Sequence, residues 1–257
     1  MKNNSKVLTG ISSLDELLGG GFTKGELVLL ASRPGIGKSS LAINLAINAA
    51  LEEKSCALFS LEMPKEQYIQ RILCSLAGVS IEKAIKGELE DKEWKKLNDA
   101  TKRLENAKLF IDDSKKLSAE VIFNECKKLK QEHGLDFVVI DYLQLVSSNK
   151  DVKDRNEIIT NNVREFQKMA KELDVVVMVL TQTPRDCQPG FTELNNENEP
   201  TIQELEKMGV NKKDCDVILF LYDKNTKDDD VELIVVKNGN ERTIDLKFDK
   251  ECLKFKD

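Results

Sequence analysis

Histidine is nearly absent from this sequence. The single one, His133, lies in the polar stretch QEHGLD of a 257-residue chain. A zinc centre or a histidine-based catalytic site needs partners that one isolated imidazole does not have, so neither is expected. Paired cysteines are also missing. The six cysteines stand at 56, 74, 126, 187, 215 and 252, with no C-x-x-C among them. Cys56, Cys74, Cys215 and Cys252 sit beside apolar runs, where a free thiol behaves as a small hydrophobe. Reduced structural thiols are therefore expected rather than disulfides or a metal site. Aromatics make up only 5% of the residues and form no cluster that could serve as a base-stacking platform. There is no excess of positive charge: the net charge is −6 and the pI about 5.2. This argues against a surface coated in basic residues but leaves room for a local basic groove. The lysine runs 127-KKLKQEH-133 and 95-KK-96 alternate with glutamates and read as solvated helix faces. No apolar run is long enough to cross a membrane, and the start MKNNSKVLTG lacks the apolar core of a signal peptide, so a cytoplasmic protein is expected.

Short apolar runs are plentiful. Five read as buried strands: 27–31 (LVLLA), 56–61 (CALFSL), 137–141 (FVVID), 175–182 (VVVMVLTQ) and 217–222 (VILFLY). They are continuous rather than alternating, as in a parallel sheet covered on both faces. Between them lie helical patterns over 39–52, over 64–77 behind Pro64, and over 155–173, each with an apolar stripe that packs on the sheet. Strands alternating with helices predict an α/β fold, and ligands in such sheets bind beyond the carboxyl ends of the strands. The end of the chain differs: 231–237 and 243–248 read as antiparallel strands around the turn NGNE. Residues 80–106 read as a charged helical insertion packed down by Trp94 and Leu97. Two polar stretches, 147–156 and 183–200, follow strand ends and read as mobile loops on the functional edge. The length suits one α/β domain spanning 1–257, and no internal repeat is visible.

The stretch 31-ASRPGIGKSSLAIN-44 follows one of these strands and opens an amphipathic helix. It fits the phosphate-loop pattern G-x-x-x-x-G-K-[ST] except that Ser32 replaces the first glycine. The substitution is tolerable, because Ser32 only makes the entry turn. The backbone N–H groups cradle the phosphates, Gly37 lets the chain pass close to them and Lys38 supplies a point charge. The expected nucleotide-binding loop is Ser32, Arg33, Pro34, Gly35, Ile36, Gly37, Lys38, Ser39 and Ser40, with the Ser39 hydroxyl available to Mg²⁺. Asp141 closes FVVID and can organise the same Mg²⁺; on its own, a strand-end aspartate could equally cap a turn. Glu62 follows CALFSL and is placed to orient or deprotonate water. Gln182 ends VVVMVLTQ and can hydrogen-bond a γ-phosphate oxygen. Tyr142 is expected to pack beside this site.

The segments TGISSLDELLGGGFTKGELVLLASRPGIGKSS, FSLEMPKEQYIQRILCSLAG, VVIDYLQL and VLTQTPR resemble the C-terminal RecA-type motor domain of DnaB-like replicative helicases. The resemblance runs from Thr9 to about Phe255. It implies a RecA-like P-loop NTPase with a mostly parallel central sheet, flanking helices and a C-terminal antiparallel hairpin. It also implies ATP and Mg²⁺ as cofactors, with catalytic roles for Lys38, Glu62 and Gln182. Arg71 matches an arginine near the nucleotide, and Ser39 and Asp141 match the metal-organising positions. Implied partners are single-stranded DNA, other copies of the chain in a hexameric ring, and replication-initiation or loader proteins.

The chain departs from the family pattern in three places. The sequence is expected to lack the family's N-terminal helical domain and the linker helix that packs on a neighbouring subunit, as an excised piece or a short relative would. The family's K-x-R-N-G segment, whose arginine reaches the neighbouring subunit's nucleotide, reads 235-VVKNGNERT-243 here. Lys237 and the Asn-Gly are kept, the arginine position reads as deleted, and Arg242 lies a few residues on. Weak ATPase activity is expected unless Arg242 substitutes. Finally, the family's DNA-facing RESG reads 206-EKMG-209, and the loop before it carries Glu193, Glu197 and Glu199 against the single Arg185. These departures give a second reading: a nucleotide-binding accessory module that does not itself unwind DNA. A RecA-like recombination or clock-type ATPase is a third, and the SLEM and DYLQL segments argue against it.

Overall fold

The computed structural model describes residues 5–147, 152, 154–183, 201–223 and 229–257. Most of the two stretches read as mobile loops, with Arg185, Glu193, Glu197 and Glu199, lies outside these residues. Strands β1 (Lys6–Val7) and β2 (Phe22–Thr23) pair antiparallel on either side of helix α1 (Ser12–Leu17). Then come β3 (Leu27–Ser32), α2 (Lys38–Leu51) and β4 (Cys56–Ser60). Three helices follow, α3 (Lys65–Ala77), α4 (Ile81–Lys86) and α5 (Asp91–Leu104), and lead to β5 (Leu109–Asp112) and α6 (Ala119–His133). Next are β6 (Phe137–Asp141), α7 (Arg155–Leu173), β7 (Val176–Gln182), α8 (Ile202–Lys207) and β8 (Val217–Tyr222). Strands β9 (Asp230–Lys237), β10 (Asn240–Asp249) and β11 (Lys254–Lys256) end the chain.

Nine of the described strands form one sheet in the order β11-β10-β9-β8-β3-β7-β6-β4-β5. Strands β8, β3, β7, β6, β4 and β5 run parallel, and β9, β10 and β11 extend the sheet antiparallel. The sheet has two apolar faces because successive side chains in a strand point to opposite sides. Val28, Leu30, Leu58, Val139, Met178 and Leu180 pack with α2 and with Tyr68 and Ile72 of α3. Their neighbours Leu27, Leu29, Ala57, Phe59, Val138, Ile140, Val177 and Val179 pack with α6 and α7 on the other side. Both faces are dry, which explains why the sequence runs are apolar without alternation. Cys56, Cys74, Cys126 and Cys252 are buried free thiols.

The hairpin turn is tighter than NGNE suggests. Only Asn238 and Gly239 are unpaired, with φ of 53° and 78°, and Asn240 already pairs with Lys237. Two consecutive left-handed residues are what a type I′ hairpin turn requires, and Asn-Gly supplies them at low cost. The insertion also departs from expectation. Residues 80–106 are two helices, but Trp94 is 52% exposed and Leu97 only half-buried; Ala100 is the buried residue of α5. Helix α5 is charged enough to be held by its capping box at Glu90 and Glu93 and by contacts with α3, without an aromatic anchor. Among the described residues no helix is long and apolar enough to cross a membrane.

Candidate functional site

Register decides what the sheet edge presents. Ser32, the last residue of β3, pairs with Gln182, the last of β7. Asp141 ends β6 beside Ser60 of β4. Because Ile140 pairs with Val179, Asp141 lies two residues deeper than Gln182. That stagger leaves Asp141 1% exposed while Gln182 is half-buried. Gln144 secures the end of β7, its Nε2 donating to Thr181 Oγ1 at 2.9 Å and to the Gln182 carbonyl at 3.1 Å.

Between β3 and α2 the chain turns through Gly35 and Gly37, with φ of 87° and 105°. Gly37 has a second reason to be glycine. A Cβ there would stand 2.7 Å from Phe248 Cε1 and 3.2 Å from Phe255 Cζ. These two rings stack with centroids 4.2 Å apart and buttress the loop from the C-terminal strands. Gly37→Ala is expected to destabilise the fold by about 1–3 kcal/mol through backbone strain alone, with the ring contact adding to it. Urea unfolding measures the loss, and nucleotide-induced stabilisation should disappear with it.

A cleft of about 620 Å³ opens over this loop. Ser32, Arg33, Pro34, Gly35, Gly37, Lys38, Ser39 and Ser40 form one wall, Glu62 and Arg71 another, and Gln182 the end of the sheet. The structure therefore brings together most of the residues singled out in the sequence. Ile36 contributes backbone only, since its side chain packs into the core. Asp141 is not on the wall but lies behind Lys38, with Nζ 3.9 Å from its Oδ1. Lys38 is 7% exposed, and its ammonium sits 5.3 Å from the Tyr142 ring centroid. Burial pulls the Lys38 pKa down, opposed by the charges of Asp141 and then Glu62. A buried cation at the first turn of a 14-residue helix suits an anion in the cleft above it.

The site also fits a divalent cation. Asp141 Oδ1 is buried and accepts no hydrogen bond among the described residues, which is unusual for a carboxylate oxygen. A hard oxygen donor of this kind, behind a cleft that Ser39 lines, suits Mg²⁺.

Lys237 and Arg242 do not line this cleft. Lys237 Nζ pairs with Glu26 Oε1 at 2.8 Å, near the start of β3, at the far edge of the sheet. The hairpin fixes where the Asn-Gly turn falls. The ladder is continuous up to a two-residue turn. Lys237 therefore directly precedes the Asn238-Gly239 turn and pairs with Asn240 across it.

Several cleft residues escaped the sequence reading. Gln67 lines the wall with Arg71, and their i, i+4 spacing on α3 was a usable signal. Met63 follows Glu62 directly. Phe248, Lys250 and Leu253 reach the cleft from the last strands, and nothing in their local sequence marks them.

A strand, a glycine-turned phosphate loop, a helix and acidic strand ends on a parallel sheet define a RecA-type P-loop ATPase fold. The chain belongs to the DnaB-like helicase C terminal domain family, whose model matches residues 6–257. It is 35% identical over 257 aligned residues to the replicative DNA helicase DnaC of Bacillus subtilis, covering 96% of this chain and 55% of that protein. Among solved structures it superposes on an ATPase domain with a TM-score of 0.90 and 30% identity, covering 99% of this chain and 92% of that one. A DnaB-like replicative helicase solved for its interactions with primase gives a TM-score of 0.89 and 31% identity, covering 99% and 62%. The chain thus spans about half the length of the curated relatives it matches.

Proposed function

We propose that residues 1–257 are a single ATPase motor domain that hydrolyses ATP and, assembled with further copies of itself, drives movement along single-stranded DNA. The observation that carries the ATPase half is the convergence at one sheet edge of Lys38, Glu62, Gln182 and an Asp141 oxygen that accepts no hydrogen bond among the described residues. The phosphate loop receives the β- and γ-phosphates on its backbone N–H groups, and Lys38 neutralises their charge. Mg²⁺, held by Ser39 and Asp141, would neutralise further charge on the same oxygens. Glu62 stands exposed at the cleft, where its carboxylate orients water for attack on the γ-phosphate and takes up the proton. Gln182 and Arg71 hold the γ-phosphate in line with that water.

The DNA half rests on family membership and on the ring assembly that the sequence resemblance implies. A second reading, a nucleotide-gated accessory module, is favoured by one feature of this chain. Helix α8, at the EKMG segment, carries exposed Glu206 beside Lys207, and acidic groups weaken phosphate contact. Steady-state ATPase activity with and without single-stranded DNA separates the two. The motor reading expects turnover to rise on adding DNA and to fall with salt; DNA-independent turnover selects the accessory module.

A further inference from the structure

We infer that Tyr68 is a positioning residue: its hydroxyl holds Asp141 in the orientation that receives a divalent cation, and so links that cation to helix α3. The inference rests on the nucleotide-site reading above and extends it to a residue outside the cleft wall.

Tyr68 lies in the first turn of α3, where its backbone N–H donates to the Pro64 carbonyl at 3.1 Å, and its side chain is fully buried. A buried phenol needs a hydrogen-bond partner. This one donates to Asp141 Oδ2 at 3.4 Å. The other carboxylate oxygen, Oδ1, accepts no hydrogen bond among the described residues and faces Lys38 at 3.9 Å. An aspartate carboxylate turns easily about its last torsion, which has broad wells. Pinning Oδ2 from behind fixes where Oδ1 points. Partners of this kind behind a metal-binding carboxylate set its orientation and are as consequential as the ligand they hold. The same helix carries Gln67 and Arg71 on the cleft wall. One rigid element therefore touches the carboxylate from behind and the phosphate position from in front.

The test follows thermal unfolding of the full chain with saturating ADP while Mg²⁺ is titrated, for wild type and Tyr68→Phe. The substitution removes one oxygen and keeps the ring volume. The Mg²⁺ concentration giving half the stabilisation is expected to rise about tenfold, with stabilisation by ADP in EDTA unchanged. An unchanged Mg²⁺ midpoint overturns the inference. A second measurement needs no Tyr68 variant. The chain has three tyrosines, so ring-labelled [¹³Cζ]tyrosine gives three NMR signals, and Tyr142→Phe and Tyr222→Phe identify the other two. The Tyr68 signal is expected to shift when Mg²⁺ is added to the ADP-bound chain, and a stationary signal overturns the inference. If ADP fails to stabilise wild type at any Mg²⁺ concentration, the nucleotide-site reading falls and takes the inference with it. Stabilisation by ADP with an unmoved midpoint removes Tyr68 alone.

Discussion

A Glu62→Gln chain is expected to bind ATP nearly as tightly as wild type and to turn it over about 10²–10⁴ times more slowly. The reason is where Glu62 sits. It lies two residues beyond the end of β4, exposed in the cleft, outside the buried Lys38–Asp141 pair. Glutamine keeps its length and can still hydrogen-bond water, but it cannot take a proton. Ground-state binding comes from the phosphate loop, which the substitution leaves alone. A loss confined to kcat is the signature of an interaction made in the transition state. Steady-state kinetics together with thermal stabilisation by ADP separate the two quantities. Retention of more than a tenth of wild-type turnover would place the proton acceptor elsewhere. Asp141 is a poor substitute, being 1% exposed and paired with Lys38 behind the wall.

The five long buried strands were legible because their physics is local, whereas the short strands β1, β2, β5 and β11 were not expected. A run such as VVMVLTQ is apolar on both faces and ends abruptly in a polar residue, which gives the element, its environment and the edge it presents. The phosphate loop was legible for a related reason: Gly37 and Lys38 act through backbone conformation and one charge, both fixed by the order of residues. The C-terminal wall was not legible. Phe248 and Phe255 press on Gly37 only because β10 and β11 fold back beside α2. That approach is fixed in turn by Asn44, which donates to the Leu253 carbonyl at 3.0 Å and accepts from the Phe255 N–H at 2.8 Å. Contacts across about two hundred residues leave no periodic trace. Trp94 failed for the opposite reason: a large aromatic is expected inside, but burial is decided by the face a short charged helix turns to its neighbour, and here that face carries Ala100.

The hairpin supplies the second large effect. Arg242 lies five residues after Lys237 in sequence, which makes it look misplaced for a role at a neighbouring nucleotide. Folding removes most of that displacement. Arg242 is directly opposite Val235, and Asn240 directly opposite Lys237. Residues opposed across an antiparallel pair share a face, so Arg242 and Lys237 are diagonal neighbours about 7–8 Å apart, on the side where Val235 joins the core over α2. The two cations differ in commitment. Lys237 is held at 2.8 Å by Glu26 of its own chain, whereas Arg242 is exposed. Arg242 is therefore the cation free to be presented outward to a second copy. In assembled protein, Arg242→Ala is expected to lower kcat by about 10³–10⁵, the range for an arginine supplied across an interface, while Lys237→Ala costs less. Mixing Arg242→Ala with Glu62→Gln chains is then expected to restore activity that neither has alone. An Arg242→Ala subunit keeps its own Glu62 and can take the arginine of a Glu62→Gln neighbour. If Arg242 acted only within its own chain, no mixture would recover. If Lys237→Ala alone gave the large loss, the hairpin's lysine, released from Glu26 on assembly, would be the residue that crosses.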